Sequence, residues 1–154
     1  MKTYTVNDVM AVRPCPEYPH KRVEELWAGR HALSAEEIVG LPISIYDVFW
    51  IIKMLKLTSD GLKTANGTII YAKDGLKHRE GDEPAIIYPD GTVEFWIHDE
   101  LHRDGDEPAE IYADGTVRYF KRGKQHREGD EPAEIWPDGT VEFWINGKFI
   151  RKKN

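Results

Sequence analysis

A 24-residue repeat constrains this chain more than any other feature. The run His-Arg-Glu-Gly-Asp-Glu-Pro-Ala at 78–85 returns at 102–109, with Asp104 for glutamate, and returns unchanged at 126–133. The block 78–97 matches 126–145 at 18 of 20 positions, differing only at Ile86 against Glu134 and Tyr88 against Trp136. The middle copy varies more, at Asp104, Ala113, Arg118, Tyr119, Phe120 and Lys121. A short fixed period marks stacked supersecondary units that contact only their neighbours. The full copies occupy 75–98, 99–122 and 123–146. A half repeat covers 58–74, where Asn66-Gly67-Thr68 aligns with Asp90-Gly91-Thr92, and a stub covers 147–154.

Each copy reads as a β-hairpin. The residues after proline, 85–88, form one strand, Pro89-Asp90-Gly91 turns, and 93–97 form the return strand. Pro-Asp-Gly suits a type I turn followed by a left-handed glycine bulge. That turn pairs Tyr88 with Thr92, Ile87 with Val93, Ile86 with Glu94 and Ala85 with Phe95. Strand side chains alternate, so one face holds Ala85, Ile87, Val93, Phe95 and Ile97, and the other Ile86, Tyr88, Thr92, Glu94 and Trp96. The same register sets Glu110 opposite Arg118, a favourable cross-strand pair. Asp74-Gly75, Arg122-Gly123 and Asn146-Gly147 are turn dipeptides between units. His98-Asp99 lacks the glycine, so a looser or differently shaped junction is expected there. With strands about 4.8 Å apart and two per copy, each copy advances about 10 Å, giving an elongated, twisted antiparallel meander.

Residues 1–57 carry helix signals and none of the repeat. Asn7 is placed to cap a short helix through Val9, Met10 and Val12, which Pro14 and Pro16 stop. A second helix is expected over 22–27, with Val23, Leu26 and Trp27 on one face and Gly29 ending it. Ser34 with Glu37 spells a capping box, with Ile38 and Leu41 following until Pro42. Ser44 and Asp47 stand in the same relation before Val48, Ile51, Ile52 and Leu55, whose helical spacing predicts the deepest-packed helix.

The residues also carry a resemblance. Gly123-Lys124, then His126-Arg127, Gly129, and Asp138-Gly139 leading into a strand with Trp144, at a 24-residue period, resemble the MORN repeat family over about residues 60–151. They resemble in particular the variant found in bacterial and phage proteins and in proteins labelled YwqK-like antitoxins. Typical MORN units carry a glycine where Arg79, Arg103 and Arg127 stand here, and Asp-Glu-Pro-Ala follows. The resemblance implies hairpin architecture and a scaffolding or protein-binding role, with no particular partner.

Charge narrows the partners. The 27 acidic residues exceed the 21 basic ones, giving a net charge of -6 and a pI near 5.5. Nucleic acid and anionic membrane surfaces both call for clustered Lys and Arg and are not expected partners. Cys15 is the only cysteine, so no internal disulfide forms and a reducing, cytoplasmic setting is expected. The first residues lack the apolar core of a signal peptide, and no run approaches the roughly 18 apolar residues of a spanning helix.

Candidate chemistry is sparse. His78, His102 and His126 form a column, but neighbours about 10 Å apart exceed what one zinc bridges at about 2 Å per bond, so no metal is expected. Each histidine with its adjacent arginine is read instead as bonding backbone and the carboxylates of its own loop. Asp82 with Glu83, Asp106 with Glu107 and Asp130 with Glu131 lie in repeated loops, without the burial that separates two carboxyl pKa values for acid and base roles. Cys15, with His20 or His31, supplies the only nucleophile reading, and a small buried hydrophobe is the simpler one. The aromatic array Tyr88, Trp96, Tyr112, Phe120, Trp136 and Trp144 suits either a face covered by the helices or an open protein interface, where Tyr and Trp ringed by charge are favoured anchors.

The expectation is therefore an α+β protein. A helical region (1–57) caps the first edge of a MORN-like β-hairpin array (58–154), with no cofactor and no catalytic residues. The expected role is a non-enzymatic protein-protein interaction module that uses the six aromatics and the acidic loops Asp82, Glu83, Asp106, Glu107, Asp130 and Glu131. An acidic decoy inhibitor, phage-derived, that fills the nucleic-acid groove of a host protein is the alternative, and a hydrolase using Cys15 or the histidines the second. Lys148, Arg151, Lys152 and Lys153 on the last strand discourage edge pairing, so a monomer is expected.

Overall fold

The computed structural model describes residues 2–11 and 20–154, and of 20–22 only the backbone. Within these residues the protein is α+β, with four helices and many short antiparallel strands. It divides into two compact units, Met1–Leu76 and Lys77–Asn154.

The first unit runs β1 (Thr3–Tyr4), α1 (Val6–Ala11), α2 (His20–Trp27), β2 (Leu33–Ser34), α3 (Ala35–Val39), α4 (Ile45–Met54), β3 (Ser59–Lys63) and β4 (Ile69–Lys73). Local side-chain bonds set the helix starts. Thr5, not Asn7, caps α1: its Oγ1 accepts the Asp8 N–H at 3.2 Å, and the Asp8 carboxylate accepts the Thr5 N–H at 2.7 Å. Asn7 already lies inside the helix, so its side chain cannot serve the first turn. Ser34 and Glu37 complete the capping box of α3 at 3.2 and 2.8 Å, and Ser44 caps α4 by accepting the Asp47 N–H at 3.2 Å. Beyond α2 the chain exits through left-handed Ala28 and Gly29. Val12, Pro14, Cys15 and Pro16 lie outside the described residues.

Val23, Trp27, Leu33, Ile38, Val39, Val48, Ile51 and Ile52 bury together, and Leu62, Ile70 and Ala72 of the β3–β4 hairpin join the same core. The half repeat therefore belongs with the helices, and the boundary falls at Leu76/Lys77 rather than at 57/58. A single hairpin is marginal alone, and this one buries its inward side chains against the helical core.

At the join stands β5 (Leu76–Lys77). The second unit then runs β6 (Ile86–Ile87), β7 (Val93–Glu94), β8 (Trp96–Ile97), β9 (Glu100–Leu101), β10 (Glu110–Ile111), β11 (Val117–Arg118), β12 (Phe120–Lys121), β13 (Lys124–Gln125), β14 (Glu134–Ile135), β15 (Val141–Ile145) and β16 (Lys148–Lys153). Its main sheet is antiparallel at every step, in the order β6-β7-β10-β11-β14-β15-β16. In the first turn, Gly91 (φ 94) donates its N–H to the Tyr88 carbonyl at 3.1 Å, and Tyr88 donates to the Thr92 carbonyl at 2.8 Å. The Asp90 carboxylate accepts the Thr92 N–H at 2.8 Å. Ile86 thus faces Glu94, Ile87 faces Val93, and Glu110 faces Arg118.

Two expectations need correction. The return strand does not run unbroken over 93–97: β7 stays in the main sheet, whereas β8 and β12 leave it to pair with β9 and β13. Phe95 sits at the switch, donating to the Ala109 carbonyl at 2.8 Å and accepting from His102 at 3.0 Å. Tyr119 does the same with Ala133 and His126. Ala109 and Ala133 thus pair with the preceding copy, and they are fully buried like their counterpart Ala85. Since Ile86 beside Ala85 is also fully buried, burial does not simply alternate there.

The second correction concerns His98-Asp99. Its φ values of 50 and 66 match Arg122-Gly123 at 51 and 71 and Asn146-Gly147 at 51 and 78. The Asp99 N–H donates to the Lys77 carbonyl at 3.0 Å, as Gly123 does to Leu101 at 2.9 Å, and the Asp99 carboxylate adds a bond from the Lys77 N–H at 2.9 Å. Aspartate tolerates the left-handed region, so the junction keeps the shape of the others.

Candidate functional site

The repeated loops build a ladder of arginine clamps. Arg103 binds both carboxylate oxygens of Asp82, at 2.6 and 3.0 Å, and donates to the Pro108 carbonyl at 3.3 Å. Arg127 repeats this with Asp106, at 2.7 and 2.8 Å, and with Pro132 at 3.2 Å. Arg151 pairs with Asp130. Each guanidinium also lies over a ring: Arg103 over Phe95 at 3.9 Å, Arg127 over Tyr119 at 3.9 Å and Arg151 over Phe143 at 3.8 Å. The expected bond to a carboxylate of the same loop holds for Arg79, 3.5 Å from Glu83, whereas Arg103 and Arg127 take their own loop's carbonyl and the aspartate of the preceding copy. A bidentate fork over an aromatic face needs an acid arriving from beside the ring, which the neighbouring loop supplies. The clamps hold Asp82 and Asp106 below the ordinary carboxylate range. Glu83, Glu107 and Glu131 stay exposed.

Across the sheet, a second pattern emerges. At one register level the strands present Ile86, Glu94, Glu110, Arg118, Glu134, Glu142 and Lys152 side by side. Arg118 links its two neighbours, at 2.7 Å from Glu134 and 3.7 Å from Glu110. Lys152 lies 3.7 Å from Glu142, and Gln125 donates to Glu134 at 2.9 Å. Four of the half-buried aromatics join this row through their polar atoms. Tyr88 and Trp96 both donate to the Glu94 carboxylate, at 3.0 and 2.7 Å, Tyr112 donates to Glu110 at 3.2 Å, and Trp144 donates to Glu142 at 3.1 Å. Tyr88, Tyr112 and Trp136 recur 24 residues apart at one position of the repeat, and Trp96, Phe120 and Trp144 at another.

Like charges meet twice, at Glu94–Glu110 and at Glu134–Glu142, arrangements that cost sheet stability unless cations offset them. Burial, and then the Glu94 charge, push the Glu110 carboxyl above its ordinary range, although Arg118 opposes this. Burial and the same acids raise the Tyr112 hydroxyl to about 12 and raise Tyr88 as well. The sequence placed Glu94 on the face of Tyr88 and Trp96 but gave no charge row. Adjacent copies meet through β7–β10 and β11–β14 pairing, a register that no single hairpin specifies.

All three column histidines have both ring nitrogens engaged. Their Nδ1 atoms accept the N–H groups of His98, Arg122 and Asn146, each at 3.3 Å. Their Nε2 atoms face Glu80, Asp104 and Glu128 at 3.4, 3.1 and 3.0 Å. A cleft of about 400 Å³ lies beside His126 between successive loops, yet that ring has no nitrogen to spare for it. Cys15 lies outside the described residues, as does the His20 side chain, and His31 is exposed. Among the described residues, no group of three or more His, Cys, Asp or Glu side chains is placed to hold a metal ion, and no helix is long and apolar enough to cross a membrane.

Compared with known proteins, the chain matches no family model, and no curated protein matches it.

Proposed function

We propose that this protein is a non-enzymatic interaction module. Its MORN-like 24-residue hairpins form an elongated meander that presents one aromatic and charged face to another protein. The observation that carries this reading is the set of half-exposed rings, Tyr88, Trp96, Tyr112 and Trp144, bonded to one continuous row of charge, with Trp136 and Phe120 as their counterparts in the repeat. Rigid amphipathic rings held by hydrogen bonds and ringed by polar groups make interface anchors at low entropic cost. Glu83, Glu107 and Glu131 line the exposed loops nearby. The acidic-decoy reading draws less support, because Asp82, Asp106 and Asp130 are each tied to an arginine and display less free charge.

Affinity capture from extracts of the source cell tests this reading with the wild type and a Trp96→Ala, Trp144→Ala variant. Loss of two anchors should weaken binding by about 2 kcal/mol or more, roughly thirtyfold, at low and high salt alike. Equal capture by the variant contradicts an aromatic face, and equal capture that also collapses with added salt supports the decoy.

A further inference from the structure

Resting on that reading, we infer that the face takes a lysine- or arginine-rich extended segment of its partner, and that Tyr88, Glu94 and Trp96 seat one of its cationic side chains. The repeats serve as each other's controls. In the second copy Arg118 lies 5.0 Å from the centre of the Tyr112 ring and bonds its hydroxyl at 2.8 Å. Trp136, the matching ring of the third copy, has the Lys152 ammonium 5.1 Å from its centre. At Tyr88 the position matching Arg118 is Glu94, so the first copy puts a carboxylate where the second puts a guanidinium.

Glu94 receives only the Tyr88 and Trp96 donors, and among the described residues no cation pairs with it. It also stands directly against Glu110, whereas its counterpart Arg118 stands directly against Glu134 and bonds it. A cation at Glu94 would offset that like-charge pair and lie against the Tyr88 ring, beside Trp96, one face of which Lys77 already covers at 3.2 Å from its centre. The extent of the face favours a peptide over a small cation. Rings matched two copies apart are separated by four strand spacings, about 19 Å, the length of five or six extended residues.

Titration of the full chain with hexalysine, followed by tryptophan fluorescence and calorimetry, tests this, with hexaglutamate and spermine as comparison probes. Hexalysine should bind the wild type, and Glu94→Arg should weaken it by about tenfold or more. That variant copies the pairing of Arg118, so its melting temperature should hold or rise, which separates lost binding from lost folding. Undiminished hexalysine binding by folded Glu94→Arg overturns the inference, as does preference for hexaglutamate. Spermine binding as tightly as hexalysine also overturns it, in favour of a small polycation. If hexalysine fails to bind or to displace a native partner that the Trp96→Ala, Trp144→Ala variant loses, the cationic segment is refuted while the aromatic interface stands.

Discussion

Arg127 does more for the fold than the acid it clamps. Its side chain is only 15% exposed, stacked on Tyr119 and bonded to the Pro132 carbonyl, whereas Asp106 is 65% exposed. Stacking and the carbonyl bond each contribute on the order of 1 kcal/mol, so Arg127→Ala should cost about 2 kcal/mol in urea unfolding. Asp106→Ala should change the midpoint far less, because the surrounding water screens that half of the pair. Equal losses would mean that the ion pair, not the stack, holds the loops. The arginine and its acid are both plain in the sequence. Their pairing is not, since the partner lies 21 residues back in another copy.

At the level of hairpins and helices, turn chemistry was the most readable part. Pro89-Asp90-Gly91 fixes the pairing of Ile87 with Val93 because a glycine at φ 94 closes the turn in one register. The Ser34 and Ser44 caps were equally legible, since a side-chain oxygen three residues before an acid satisfies a free N–H in any context. The break at Phe95 was hidden, because it depends on Ala109 and His102 of the next copy. The missing glycine does not reshape the His98-Asp99 junction, because Asp99 itself takes the left-handed angle. There Asp99→Ala should cost about 1–2 kcal/mol, through left-handed strain and the lost bond to the Lys77 N–H, whereas Asp99→Gly should stay within about 0.5 kcal/mol of the wild type. A large loss on Asp99→Gly would show that the carboxylate, not the backbone angle, governs the junction.

Across the whole molecule, charge ties stability to pH in opposing ways. Burial and Glu94 raise the folded-state pKa of Glu110 above its ordinary 4.5. Its stabilising contribution is therefore complete below that value and is lost as pH rises through the folded-state pKa. Asp82 and Asp106, held below their ordinary 3.8 by Arg103 and Arg127, contribute above that value and lose their effect as pH falls. Thermal melts should accordingly show Glu110→Gln gaining on the wild type as pH rises above the ordinary 4.5, and a constant gap would place no titration at Glu110.

The binding face itself is read most directly from proton–nitrogen correlation spectra of the full chain as hexalysine is added. Shifts should concentrate on the indole N–H of Trp96 and the backbone amides of Glu94 and Glu110. Shifts confined to the loops at 80–84, 104–107 and 128–131, or to the unit Met1–Leu76, would contradict an aromatic and charged sheet face as the place where this protein meets its partner.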